Sequence, residues 1–199
     1  TKMIERHTVA NLELYALPHD VYIPTPNAKG GISWEILSAI TRHDPGNTLY
    51  EVKTASGRKV IVPESKSILV WNEETETFIA KLTPEVKVGE FVPVTLVLPS
   101  IELLEAEDTY LKLLKESSEL VEKKLESFFE GSSRIAKVPS TESIEIIYAL
   151  CTRVGFYTEF SEKGLTIYKD LPSTVRQVEN VILDPISEIT IISLSFQMC

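Results

Sequence analysis

Apolar and polar residues alternate over short stretches in the first half of the chain, recur at helical spacing in the middle, and alternate again near the end. Leu49 to Thr54 places Leu49 and Glu51 on one side of a strand and Tyr50, Val52 and Thr54 on the other. Lys59 to Val62, Ile68 to Trp71, Phe78 to Lys81 and Phe91 to Leu98 read as further strands, separated by Ser56-Gly57, by Pro63-Glu64-Ser65-Lys66-Ser67 and by Asn72-Glu73-Glu74-Thr75. Upstream, Val21-Tyr22-Ile23 is a short strand ended by Pro24, and Asn27 to Gly31 is a turn. Ile32 to Arg42 then reads as one extended strand. Helix is the rival there, because Trp34-Glu35-Ile36-Leu37 lacks strict alternation. Prolines from Pro18 to Pro99 forbid a long helix over this half. Strands this short, with turns every ~8–12 residues, predict a curved or barrel-like β fold.

The period changes after Ser100. Ile101, Leu104, Leu111, Leu114, Val121 and Leu125 predict an amphipathic helical stretch over 101–131, in one or two pieces, with Gly131 as its stop. Its many acids, from Glu102 to Glu130, form the solvated face. A second helix is predicted from Thr141 to Val154, with Ser140 or Thr141 as N-cap and Gly155 as terminator. Phe156 to Phe160 and Leu165 to Tyr168 flank a hairpin turn at Ser161 to Gly164. Val181 to Leu183 and Ile189 to Ile192 return to β, separated by Asp184-Pro185. The order predicts a β domain made of residues 1–99 and 180–199, interrupted by an α+β subdomain at 100–179.

Charge narrows the chemistry. Lys and Arg number 20 against 29 Asp and Glu, a net charge of −9, with no run of positive residues. Binding to a phosphate backbone needs clustered cations, so this balance argues against DNA as a partner. No phosphate-binding glycine loop is present, so no cofactor is expected; Gly30-Gly31 is a turn. His7, His19 and His43 are too dispersed to suggest a metal centre. Cys151 and Cys199 cannot staple a framework and point to a reducing, cytoplasmic setting. No apolar run is long enough for a membrane helix, and the polar opening from Thr1 to Arg6 does not look like a signal peptide.

Several strings resemble an intein, a protein-splicing element whose β-rich Hint domain is often interrupted by a homing-endonuclease insertion. Tyr50 to Val60 is similar to the strand–turn–strand leading into the family's second splicing motif, G-x-x-(I/V)-x-x-T-x-x-H. The same spacing here gives Gly57, Val60, Pro63 and Lys66. Ile32 to His43 resembles the segment before that motif, Val88-Gly89-Glu90-Phe91-Val92 the strand after it, and Asn180 to Ile189 the strand opening the C-terminal half.

The resemblance implies a Hint-like horseshoe domain carrying an inserted relic of an endonuclease. It implies autocatalytic acyl transfer, with a host protein (the exteins) or a complementary intein fragment as partner. The positions it assigns to catalysis are Pro63 and Lys66, altered from Thr and His. Pro63 has neither hydroxyl nor N–H, and Lys66 offers a cation to polarise a scissile carbonyl in place of an imidazole acid. Lys66 also reads as a plain polar turn residue. The family opens on Cys or Ser and closes on His-Asn; neither stands at these ends, so no splicing in cis is expected. No L-A-G-L-I-D-A-D-G-like run occurs, which argues against DNA cleavage. The competing expectation is a non-catalytic β-rich binding module with an acidic helical arm.

Overall fold

The computed structural model describes residues 2–7, 12–44, 46–99, 116–139 and 143–194. The fold is mainly β, with two α-helices among the described residues. Strands β1 (Lys2–His7), β2 (Leu12–Ala16) and β5 (Ile40–His43) form one antiparallel sheet in the order β1-β2-β5. Strands β3 (Tyr22–Pro26) and β4 (Ile32–Ile36) form a hairpin, as do β8 (Ser67–Asn72) and β9 (Thr77–Leu82).

The central sheet runs β10-β15-β6-β7, from β10 (Phe91–Thr95), β15 (Val181–Ser193), β6 (Thr48–Thr54) and β7 (Lys59–Pro63). Strand β14 (Arg176–Val178) adds to the first part of β15. One face of the central sheet carries Val52, Ile186 and Ile189, which pack with Val70, Val86 and Val92. Alternation in β6 puts Val52 and Thr54 inward, as the sequence pattern requires.

Strand β15 departs from the sequence reading, which breaks it at Asp184-Pro185. It is continuous, and different stretches of it serve different neighbours: β10 and β14 pair with its first half, β6 with its second. Pro185 falls where β14 has ended and β6 is beginning, so its missing N–H interrupts no ladder. A bulge between Ile186 and Glu188 then bends the strand.

The single strand expected over Ile32 to Arg42 is two strands. β4 pairs with β3 and β5 with β2, so the chain changes sheet after Ile36. The lapse in alternation at Ile36-Leu37 marks the crossing. Strand β3 also runs past Pro24, the residue expected to end it. Strands β1, β2 and β14 have no counterpart in the sequence reading.

Residues 116–170 hold their own core. Helices α1 (Ser118–Glu126) and α2 (Ile144–Val154) cover one face of a sheet ordered β11-β13-β12, from β11 (Ile135–Pro139), β12 (Tyr157–Ser161) and β13 (Gly164–Tyr168). Strand β11, also unforeseen, buries Ala136 and Val138 and exposes the residues between. Helix α1 starts at Ser117, whose side chain accepts from the Leu120 N–H at 3.3 Å. It ends at Glu126 rather than at Gly131, because tight turns at Phe128 and Phe129 bring both rings onto the module core. The first part of the predicted helical stretch, 101–115, lies outside the described residues, as do Ser140 and Thr141. Helix α2 stops at Gly155, whose φ of +77° is left-handed, as predicted.

Val121, Leu125 and Ile167 are fully buried in this core. Leu125→Ala should cost about 2–5 kcal/mol through lost transfer energy and an unfilled cavity. Urea denaturation followed by fluorescence checks it; a change below ~1 kcal/mol would contradict this packing.

Candidate functional site

The hairpin of β6 and β7 carries both the motif-like residues and the best-developed polar cluster, at opposite ends. Its turn closes with the Thr54 N–H donating to the Arg58 carbonyl at 2.9 Å and the Gly57 N–H to the Thr54 carbonyl at 3.0 Å. Gly57 has φ +82°, and a Cβ there would lie 2.0 Å from the Phe160 carbonyl oxygen. Only glycine fits that approach. The Phe160 N–H donates to the Ser56 carbonyl at 2.7 Å, fastening β12 of the inserted module to the turn.

Arg58 crosses the same junction. Its Nη1 donates to Ser56 Oγ at 2.5 Å and to the Thr158 carbonyl at 3.1 Å, and its Nη2 to Thr158 Oγ1 at 2.9 Å. The guanidinium lies 5.3 Å from the Tyr148 ring centre and 5.1 Å from that of Phe160. Asp184 of β15, 2% exposed, accepts from the Ser56 N–H at 3.2 Å and from the Ser56 hydroxyl. Ser56 thus bridges a buried carboxylate to a guanidinium. With 1% of its surface exposed, its hydroxyl is closed to a substrate, so the cluster clamps three elements together.

Pro63 and Lys66 lie at the far end of the hairpin, where Pro63 pairs with Leu49. Bonded positions alternate from the Thr54–Arg58 pair, so Val60 and Val62 bond to β6 while Lys59, Ile61 and Pro63 face the outer edge. The Lys66 N–H donates to the Pro63 carbonyl at 3.1 Å, making a tight turn. The Lys66 side chain is exposed, but its carbonyl is held by Thr83, whose N–H donates at 3.0 Å and whose hydroxyl donates at 2.6 Å. Thr83 is itself buried. Gly57 and Val60 share the hairpin with Pro63 and Lys66 but sit toward its other end.

An apolar groove of ≈ 330 Å³ opens beside β7, with Val52, Thr54, Val60, Ile68, Val92 and the Arg58 side chain on its walls. A more polar cleft of ≈ 470 Å³ surrounds Trp71, Glu73, Arg176 and Gln177. There Arg176 Nη2 meets Glu73 Oε1 at 2.6 Å, and this hydrogen bond holds the Glu73 carboxyl below the usual carboxylate range. Cys151 is buried, and desolvation pushes its thiol up to about 12, which leaves it a core residue without a reactive thiolate. His43 Nδ1 lies 2.8 Å from the Asp44 carbonyl. Among the described residues no three His, Cys, Asp or Glu side chains are grouped so as to hold a metal ion, and no helix is long and apolar enough to cross a membrane.

Sequence reading misses Ser56, Arg58, Thr158 and Asp184 as a unit, because they come from three distant segments. One signal was available: a lone acid inside Val-Ile-Leu-Asp-Pro-Ile at 181–186 marks a carboxylate that needs a buried partner. Thr83 carries no comparable signal. A scan against protein-family models finds no match to the chain, and no curated protein matches it.

Gly57→Ala should destabilise the protein by about 2–4 kcal/mol, since the new methyl meets backbone in a left-handed turn. Arg58→Ala should cost a similar ~2–4 kcal/mol by removing the guanidinium that bonds Ser56 and Thr158 across the junction. Chemical denaturation of both variants checks this, and wild-type midpoints for both would refute the clamp.

Proposed function

We propose that the chain is the β scaffold of an intein-type protein-splicing element, a Hint-like domain interrupted by a relic endonuclease module. Pro63 and Lys66 occupy the positions where that family carries Thr and His. One observation carries the reading. The end of β15 lies beside the segment that leads to Pro63 and Lys66: Ser193 pairs with Thr48, whose carbonyl accepts from the Glu64 N–H at 3.4 Å, and the Leu194 N–H donates to the Asn47 carbonyl at 2.8 Å. Acyl transfer at a strand end needs its catalytic groups held within reach of that end. The excursion of 116–170 out of the β scaffold supports the inserted-module part of the reading.

In this reading the exposed Lys66 acts as a cation toward a scissile carbonyl, and Thr83 fixes the backbone that presents it. The partners are the flanking host segments or a complementary fragment. Acyl transfer also needs a terminal nucleophile and a cyclising Asn, which the test supplies in cis.

Four forms of the chain carry an added Cys-bearing N-terminal strand and an added His-Asn strand: parent, Pro63→Thr, Lys66→His and the double change. Thiol-induced cleavage at the upstream junction is followed by mass spectrometry. The double variant should cleave faster than the parent by ~10²-fold, the usual gain from a placed general acid. A parent faster than the double variant would mean that the Lys66 cation serves that position better than an imidazole acid does. Equal rates in all four would sink the assignment of Pro63 and Lys66. They would favour the second reading, a non-catalytic binding module, for which the solvent-open groove beside β7 is the supporting observation.

A further inference from the structure

Strand β15 leaves one of its edges open. The Ile186 N–H donates to the Glu90 carbonyl at 2.8 Å, so β10 occupies the outer edge as far as Ile186. Beyond the bulge, Glu188, Thr190 and Ile192 face β6, a phase fixed by the Leu194 bond to Asn47. Ile189, Ile191 and Ser193 therefore direct their N–H and C=O groups outward, and no described strand meets them. The side chains tell the same story. Ile189 and Ile191 share the apolar face of the sheet with Val52 and Tyr50, yet Ile191 is 62% exposed. An isoleucine on a packing face, left bare at an open edge, is covered when another strand is added there.

Edges are ordinarily blunted by proline, lysine or a bulge. On β7 the outer edge ends at Pro63 after Lys59 and Ile61. From Glu188 to Ser193, β15 has none of these devices, and its Ile-Thr-Ile-Ile run favours extended pairing.

We infer that the outer edge of β15, residues 188–194, pairs with the same edge of a second copy of this chain, antiparallel and centred on Ile191. The edge is self-complementary. Ile191 faces its own copy and exchanges two hydrogen bonds, and Ile189 faces Ser193 on either side, adding four. Thr190 then opposes Ile192, and Glu188 opposes Leu194. The two copies of Glu188 fall at opposite ends, so no like charges meet across the ladder. Both Ile191 side chains lie on the same face and cover each other, continuing the central sheet across the two-fold axis.

A ladder this short buries less than a standard interface, so the dimer should be weak and concentration-dependent. Sedimentation velocity of the full chain over about a hundredfold range of concentration, up to about 500 µM, reads it. The 22.3 kDa species should shift toward twice that mass. Ile191→Lys should abolish the shift. Ser193→Pro should weaken it at least ~10-fold by removing one outward N–H pair while sparing the ladder with β6. Ile61→Lys, on the other edge of the same sheet, should dimerise like the parent. Amide exchange gives a readout that needs no variant: the Ile189, Ile191 and Ser193 N–H groups should gain protection as concentration rises, and those of Lys59 and Ile61 should not. A parent that stays monomeric at the highest concentration overturns the inference. So does a dimer that survives Ile191→Lys and Ser193→Pro, or one lost equally with Ile61→Lys.

Discussion

Asp184 sets the terms for the arrangement of this molecule. It is a buried carboxylate in the middle of an apolar strand, and an uncompensated charge there costs several kcal/mol. Compensation comes from two sides at once. Ser56 offers its N–H and hydroxyl, and Arg58 closes the circuit by donating to Ser56 and to Thr158. Because Ser56 and Arg58 sit in a two-strand turn and Thr158 in the inserted module, satisfying one carboxylate fixes β15, the β6–β7 hairpin and β12 relative to one another. The guanidinium between Tyr148 and Phe160 adds packing from helix α2 and β12 to the same point. Gly57 is the geometric condition for all of it, since a side chain there would hold Phe160 away.

The hairpin thereby has one anchored end and one exposed end. Its turn is gripped by the module. Its other end carries Pro63 and runs into Lys66, whose backbone is tied by Thr83 to the start of a 3-10 turn, Thr83–Glu85. Lys66 therefore combines a fixed main chain with a side chain that reaches solvent. That combination distinguishes Lys66 from Arg58, whose guanidinium is bonded within the fold.

Much of the fold was legible because it rests on local pattern. Strict alternation marks β6, Gly155 marks the end of α2, and Ser161 to Gly164 marks the turn of β12–β13. The N-terminal strands were not, since Leu12 to Ala16 shows too short an alternation to stand out without its partners. Strand β11 is equally short and ends on a proline. At the candidate site, Pro63 and Lys66 are singled out by the resemblance, which counts them off from Gly57 and Val60 along one local segment. The Asp184 cluster could not be reached in this way, because Ser56, Thr158 and Asp184 are brought together only by the pairing of strands that lie far apart in sequence.

Prolines illustrate the same limit from the other side. The chain has 11, and five of them lie inside the β3, β7, β10 and β15 strands without breaking any. In β3 the Asn27 N–H bonds to the Gly31 carbonyl and the Leu37 N–H to the Val21 carbonyl, so by alternation Pro24 and Pro26 occupy the positions that do not bond to β4. Pro63 faces away from β6 in the same manner, and Pro93 faces away from β15, whose bonded partners on β10 are Glu90, Val92 and Val94. Pro185 lies past the end of β14, and on that side its carbonyl accepts from the Ala55 N–H at 2.9 Å, so only a donor is missing there. A proline in a strand is therefore information about which position donates no ladder bond, and it reads as a terminator only while the partner is unknown. That is why Pro24 reads as the end of a strand that continues past it, and why Asp184-Pro185 reads as a break in the strand that holds the central sheet together.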